Sequence, residues 1–321
     1  MRRALLLLLL AACGNFEDPA VVVDLRPIAI AADLPEQVID IDATTTADQV
    51  LAQLSDTHLV VLLSDLNFDR GIRWSAEACN LDSAYRCDHS APYETLGSGV
   101  WDDPDTSPPP FLTIPADGNL LGILYDELQN DTLHGLGGEY FGISLRIGGE
   151  DADPEQDQYL AKEMLVSPRI PADRTPNHNP TMDHIDTEVN DDEATSFALP
   201  LGRCSDLTGP GPVQLHPADK LRLEPIELPT TRETYSVPTI DGMTRTFTEA
   251  VTYQWLATAG SFSDATTGGG HDPFGNLAPV HTEWTAPKTV KEDTNVWMWI
   301  IQRDERYGVT WYQACVTVTP Q

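Results

Sequence analysis

No stretch of this chain keeps a helical period for long. Short β-branched and aromatic runs carry apolar side chains at alternate positions, and turn residues interrupt them about every 8–15 residues. Such a chain cannot hide a long stripe on a helix, but it can bury one face of many short strands. Antiparallel sheets packed face to face are the architecture that does so, and the expected fold class is all-β, built of antiparallel β-sandwiches. The 321 residues are more than one such core needs, and 25 Pro with 22 Gly fall below the share that marks a disordered chain.

Strands are expected at Val21–Ile30, at Leu59–Leu63 and, after the turn Asp69-Arg70-Gly71, at Ile72–Ser75, which closes a hairpin on the strand before it. Tyr140–Ile147 and Tyr159–Val166 read as partners across the acidic loop Glu150–Asp157. Asp48–Leu54 is the one stretch that reads as a short helix. The prolines of residues 168–180 mark a boundary expected to be stiff and extended. Beyond it, Leu221–Leu223 and Thr246–Trp255 are strands. Asn295–Gln302 is apolar on both faces, as a central strand is, and Val309–Val318 returns against it. Trp74 and Trp255 each sit late in a strand entering a core, so the halves echo one another as tandem Ig-like units.

The start of the chain reads as an address. Met1-Arg2-Arg3 precedes the apolar run Ala4–Leu10 and then Leu10-Ala11-Ala12-Cys13, the layout of a secretory signal. The run is too short to cross a bilayer, which takes about 20 apolar residues. Leu10-Ala11-Ala12-Cys13 resembles the bacterial lipobox, and that resemblance implies diacylglycerol on the Cys13 thiol, cleavage before Cys13 and acylation of the new amino group. Gly14 at the next position favours the outer membrane. The expected division is a lipoprotein signal peptide over residues 1–12 and a tether over 13–20. A first Ig-like sandwich then spans 21–168, a Pro-rich linker 169–182 and a second sandwich 183–321.

The formal charge of −31 repels nucleic acid and anionic headgroups alike, so no nucleic-acid partner is expected. Four cysteines remain besides Cys13, and in an exported chain they imply disulfides with three possible pairings. Cys79–Cys87 with Cys204–Cys315 is preferred because each bridge stays inside its expected domain. No metal or cofactor site is expected. Asp151, Asp153, Glu155 and Asp157 alternate like the start of a calcium loop, but Gln156 and Lys162 stand where its glycine and its bidentate glutamate belong. That loop reads as a solvated acidic hairpin, and Asp183, His184, Asp186, Glu188, Asp191, Asp192 and Glu193 as a solvated linker face. Gly268-Gly269-Gly270 reads as a loop tip, and Trp297 with Trp299 as buried. No catalytic signature occurs, neither His-Glu-x-x-His nor Gly-x-Ser-x-Gly, and no phosphate loop.

Several segments together are similar to uncharacterised cell-surface lipoproteins of myxobacterial type with tandem Ig-like, PKD-like domains. They are Val23-Asp24-Leu25-Arg26 through Ala32–Glu36, Arg73-Trp74-Ser75, Asn177-His178-Asn179-Pro180, Trp255–Phe262, Glu283–Pro287 and the terminal Trp-rich hairpin. Tyr253-Gln254-Trp255 resembles the Tyr-x-Trp of PKD-type modules, whereas residues 44–58 depart from the pattern. The resemblance implies architecture and address, and no enzymatic role. The expected function is a non-catalytic, lipid-anchored module of the cell envelope that binds a protein or glycan partner or acts as a spacer. An envelope hydrolase assembled from dispersed Asp and His residues, or a calcium-dependent adhesion module, is the alternative.

Overall fold

The computed structural model describes residues 18–65, 70–102, 112–207 and 212–321. Cys13 and the whole lipobox lie outside the described residues. The chain forms two Ig-like β-sandwiches. In the first, a three-stranded sheet runs in the order β1 (Arg26–Ala32), β3 (Thr57–Ser64), β6 (Leu112–Ile114). It packs on a five-stranded sheet ordered β2 (Glu36–Ile39), β8 (Gln158–Pro168), β7 (Glu139–Gly149), β4 (Ile72–Cys79), β5 (Tyr93–Trp101). Leu59, Val61 and Ile114 from one sheet meet Ile72, Ile143, Leu145 and Met164 from the other in a single buried cluster.

The second sandwich repeats the plan. One sheet is β10 (Asp192–Ala198), β9 (Met182–Val189), β12 (Lys220–Glu227), β18 (Thr282–Thr285), β16 (Ser261–Phe262). The other is β11 (Val213–Leu215), β20 (Val309–Val318), β19 (Thr294–Asp304), β15 (Val251–Ala257), β17 (Thr266–Gly269). A separate hairpin joins β13 (Thr234–Pro238) to β14 (Thr244–Thr248). In both units a short strand lies parallel to the final one, β2 on β8 and β11 on β20. Trp255 and Trp284 are fully buried at the second core, where the Trp255 indole N–H reaches Thr267 Oγ1 at 2.9 Å and leaves no orphan donor.

The two units do not hang on an extended connector. A third buried cluster joins Val22, Ile28, Ala29 and Leu62 to Leu256, Trp299, Ile301 and Val309. The alternation along β19 explains it: Val296, Met298 and Ile300 face the second core, while Trp299 and Ile301 face the first sandwich. Apolarity on both faces of Asn295–Gln302 therefore records a core on one side and an interface on the other. Ahead of β1, Val21 bridges Ala257 of β15, so the entering chain is stitched to the second unit before it builds the first.

Several local expectations need correction. Val21–Val23 is not part of β1, which begins at Arg26. Leu59–Leu63 and Ile72–Ser75 do not pair as a hairpin, since β3 and β4 belong to opposite sheets; Asp69 of the expected turn lies outside the described residues. Thr246–Trp255 splits into the end of β14 and most of β15. The helix at Ala47–Leu51 (α1) has company: α2 spans Gly118–Asn130. Asp117 caps it by accepting from the Asn119 and Leu120 N–H groups, and Leu120, Ile123 and Leu124 form its buried stripe. Residues 169–181 are no plain extended spacer, since the Arg174 N–H closes a turn on the Pro171 carbonyl. The acidic run 183–193 belongs to the β9–β10 hairpin at a sheet edge, and Gly268 and Gly269 lie in β17 rather than at a loop tip.

Cys204 and Cys315 are joined across 111 residues, tying the segment before β11 to β20. Cross-links over loops of that size remove about 4–5 kcal/mol of unfolded-state freedom on the chain-entropy model. Replacing both by Ala is expected to lower denaturant stability of the second sandwich by about that amount, read as a fall in the transition midpoint with Trp fluorescence as the probe.

Candidate functional site

The polar centre of the molecule is Glu36 in β2, whose side chain is fully buried. Arg174 Nη2 reaches its Oε1 at 2.8 Å, Ser167 donates to the same oxygen, and the Asn177 N–H donates to Oε2 at 3.0 Å. Arg306, from the β19–β20 turn of the other sandwich, also pairs with Oε2. These charge-assisted bonds outweigh the cost of burial and hold the Glu36 carboxyl below its ordinary value. Arg306 in turn meets Glu249 at 3.2 Å and stacks over the Tyr235 ring. Asn177 donates to Asp304 and to the Arg306 carbonyl, while Asn179 accepts from the Val309 N–H and donates to the Ala32 carbonyl. The Asn177-His178-Asn179-Pro180 segment is thus a clamp between the sandwiches.

That clamp sets the β19–β20 turn against the first sandwich and leaves a groove beside it. The groove has two lobes, of about 510 and 280 Å³, which share Glu163 and Tyr307. Both volumes are of the order that holds small molecules, and junctions between domains are where such sites concentrate. Lys162 reaches over from β8 to donate to the Tyr307 carbonyl, and its burial pulls the ammonium down to about 8. Asp304 is spent on Asn177 and on the Arg306 and Gly308 N–H groups, and burial raises its carboxyl. A Cβ on Gly308 would collide with that carboxylate and with Pro180, so glycine is required there.

The aromatic wall comes from separate elements. Tyr85 stands in the loop closed by the Cys79–Cys87 disulfide and is 60% exposed. Leu81 of the same loop lies over Gly142, where a Cβ would strike its side chain. Arg86 stacks on the exposed Tyr159 ring at 4.3 Å, and Tyr140 meets Tyr307 edge to face at 5.4 Å. Tyr85 and Tyr307 have φ of 59° and 74°. Left-handed backbone is costly for a bulky residue, about 1–2 kcal/mol, and such positions concentrate at functional sites. Both tyrosines line this one groove. Glu163 has no hydrogen bond or ion pair with any described residue, and the buried Asn80 Oδ1 at the smaller lobe also lacks a partner.

The other residues singled out in the sequence lie apart from the groove, or belong to its frame. Cys79–Cys87 shapes the Tyr85 loop, and Cys204–Cys315 lies within the second sandwich. The 150–157 loop is not merely a solvated hairpin. Asp157 is buried between Arg73 and Arg146, and the Gly149, Glu150 and Ala152 carbonyls all accept from Arg73 Nη1. A guanidinium thus takes the oxygens a calcium ion would need. Among the described residues no group of three or more His, Cys, Asp or Glu is placed to hold a metal. His58 touches Thr113 at 3.1 Å, but among the described residues no carboxylate meets its other ring nitrogen. Trp299 is buried as expected, whereas Trp297, beside it on the same face, is 37% exposed because the first sandwich does not reach that far. Sequence reading missed Tyr85, Tyr159, Tyr307 and the Glu36–Arg306 pair. Only Asn177-His178-Asn179-Pro180 carried a signal for the region.

The fold and this groove define a two-sandwich, Ig-like β-protein with a polar, aromatic cleft at the junction. No protein-family model matches the chain, and no curated protein matches it. Among solved structures it is similar to Bacteroides ovatus SGBP-B of the mixed-linkage glucan utilization locus, in complex with mixed-linkage heptasaccharide. That likeness has 7% identity over 96% of this chain and 71% of the other, with a TM-score of 0.18. The C-terminal domain of the Streptococcus agalactiae AgI/II polypeptide BspA is similar at 8% identity over 83% and 93% of the respective chains, with a TM-score of 0.16. Likeness of that degree says nothing of what this chain binds.

Removing the Glu36 charge leaves two arginines buried without it. Glu36→Gln is expected to destabilise by about 3–5 kcal/mol at neutral pH in denaturant titration. Glu249 behaves in the opposite sense: burial, with Asp304 nearby, raises its carboxyl to about 7 despite Arg306. The native state then binds a proton between about 7 and the ordinary value of 4.5 that the unfolded state does not hold, so stability from this group rises as pH falls through that window. Glu249→Gln is expected to flatten the slope there and to stabilise at pH above about 7. Relief of the left-handed backbone makes Tyr85→Gly neutral or stabilising, by up to about 1 kcal/mol, in the same titrations.

Proposed function

We propose that this chain is a non-catalytic, lipid-anchored protein of the bacterial cell envelope, held at the outer membrane by acyl chains on Cys13, which binds a ligand in the groove between its two sandwiches. The observation that carries the binding reading is the pair of left-handed tyrosines, Tyr85 and Tyr307, brought to one cleft from opposite units. A packing role does not call for a strained backbone at the exposed Tyr85 ring, whereas a ligand platform does. The non-catalytic reading is supported by the described lining, which holds no Ser, Thr, Cys or His, and by Asp304, whose oxygens are already occupied; Glu163 and Glu127 are its remaining carboxylates. The anchor is supported by the run Met1–Cys13, and two or three acyl chains on one residue hold where a single chain binds only marginally. The tandem β-units similar to those of surface lipoproteins fit this address.

Two measurements test the reading. Labelled palmitate is expected to enter the chain, and Cys13→Ser to abolish both the label and sedimentation with envelopes; equal sedimentation of that variant would remove the anchor. The detergent-solubilised protein is expected to retain a component of polysaccharide or peptide fractions without releasing product. Retention is expected to be lost in the Tyr85→Ala, Tyr159→Ala double variant. Retention that ignores both tyrosines, or steady product release, would sink the groove as a binding site.

A further inference from the structure

The groove's free chemistry narrows its ligand, given the reading above that it is a binding site. Its cations are engaged: Lys162 donates to the Tyr307 carbonyl, Arg303 to Gln254 at 2.8 Å, and Arg86 lies flat on Tyr159. Besides tyrosine hydroxyls, the polar atoms left over include two acceptors. The Glu163 carboxylate is shared by both lobes and makes no bond to a described residue, and the Asn80 Oδ1 is buried without a donor. Burying Asn80 Oδ1 without a partner costs free energy that a donor-rich ligand recovers, and Glu163, half-buried, is open to a further donor. An anion would lie against Glu163, Glu127 and Asp304 on a body of charge −31. A cation would meet Lys162 and Arg303, which line the larger lobe. Neither sign of net charge suits the cleft.

Flat rings complete the description. Tyr85 and Tyr159 are exposed beside the larger lobe, and the Tyr140–Tyr307 pair stands at the smaller one. An exposed ring offers an apolar face that covers C–H surface, while donors on the ligand's rim turn to the acceptors. We infer that the groove binds a neutral oligosaccharide, whose sugar rings stack on Tyr85 and Tyr159 and whose hydroxyls donate to Glu163 and Asn80.

The probes are cello-, malto-, xylo- and mannohexaose, with hexagalacturonate and hexalysine as the anionic and cationic competitors, titrated calorimetrically into the full chain. At least one neutral hexaose is expected to bind with little dependence on salt. Affinity is expected to fall about tenfold or more in Tyr85→Ala and in Tyr159→Ala, and to be kept in Tyr85→Phe, which preserves the ring. Both positions are exposed, and an unchanged thermal midpoint would show that the variants fold. Binding of no neutral hexaose would overturn the inference, as would tighter binding of hexagalacturonate or hexalysine, or neutral binding indifferent to the tyrosines. Tyrosine-dependent binding of hexalysine alone would overturn the sugar while leaving the groove as a binding site, so the two failures are separable.

Discussion

Everything at the junction depends on one carboxylate buried out of reach of solvent. Glu36 sits on the short strand β2, and Arg174 from the connector and Arg306 from the second sandwich converge on it. A buried ion pair of this kind adds little net stability over a well-packed apolar contact, because desolvation consumes most of the Coulomb gain. What it does supply is direction. The apolar cluster around Trp299 and Ile301 would tolerate some sliding, whereas two guanidinium groups, a backbone N–H and a hydroxyl can satisfy Glu36 in one arrangement only. The angle between the sandwiches, and with it the width of the groove, follows from that geometry.

The arrangement also accounts for the surplus of acid beside Arg306. Glu36, Glu233 and Glu249 all face the one guanidinium, and Asp304 lies close by. Glu36, paired with two guanidinium groups, is held low despite its burial, while burial, with Asp304 nearby, pushes Glu249 up to about 7. The same turn delivers Tyr307 to the groove, so the charge cluster and the aromatic wall are two consequences of how β19 passes to β20.

The sandwiches were legible in the sequence and the site was not. Period-two runs such as Tyr140–Ile147 and Val309–Val318 announce strands because alternation is a local property. The helix Gly118–Asn130 also had its local marks, an Asp117 cap and apolar residues at 120, 123 and 124, but strand-like context on either side hid them. Which sheet a strand joins is decided by crossovers, and so the hairpin expected between Leu59–Leu63 and Ile72–Ser75 fails. The groove fails for a deeper reason. Tyr85, Tyr159 and Tyr307 are 74 and 148 residues apart, and no spacing rule relates a disulfide loop, a sheet strand and a turn. The doubled Asn of Asn177-His178-Asn179-Pro180 was the one trace, since two amides flanking a single residue suit a connector that bonds both neighbours at once.

A rigid junction and a strained rim serve the same end. A cleft between two bodies that swing freely must be ordered when a ligand arrives, and that ordering subtracts from affinity. Here the cost is met during folding: the Glu36 cage fixes the bodies, the Cys79–Cys87 bridge fixes the loop, and Tyr85 and Tyr307 are held in a backbone conformation their side chains disfavour. Such conformations persist only where the surroundings over-determine them. The Tyr85 N–H bonds the Asp82 carbonyl inside the disulfide loop, and Tyr307 is pinned through its own carbonyl by Lys162, itself buried and reluctant to hold its charge. Each restraint acts on a different element, yet all of them reduce the freedom of the same few rings, as the proposed binding role of the groove requires.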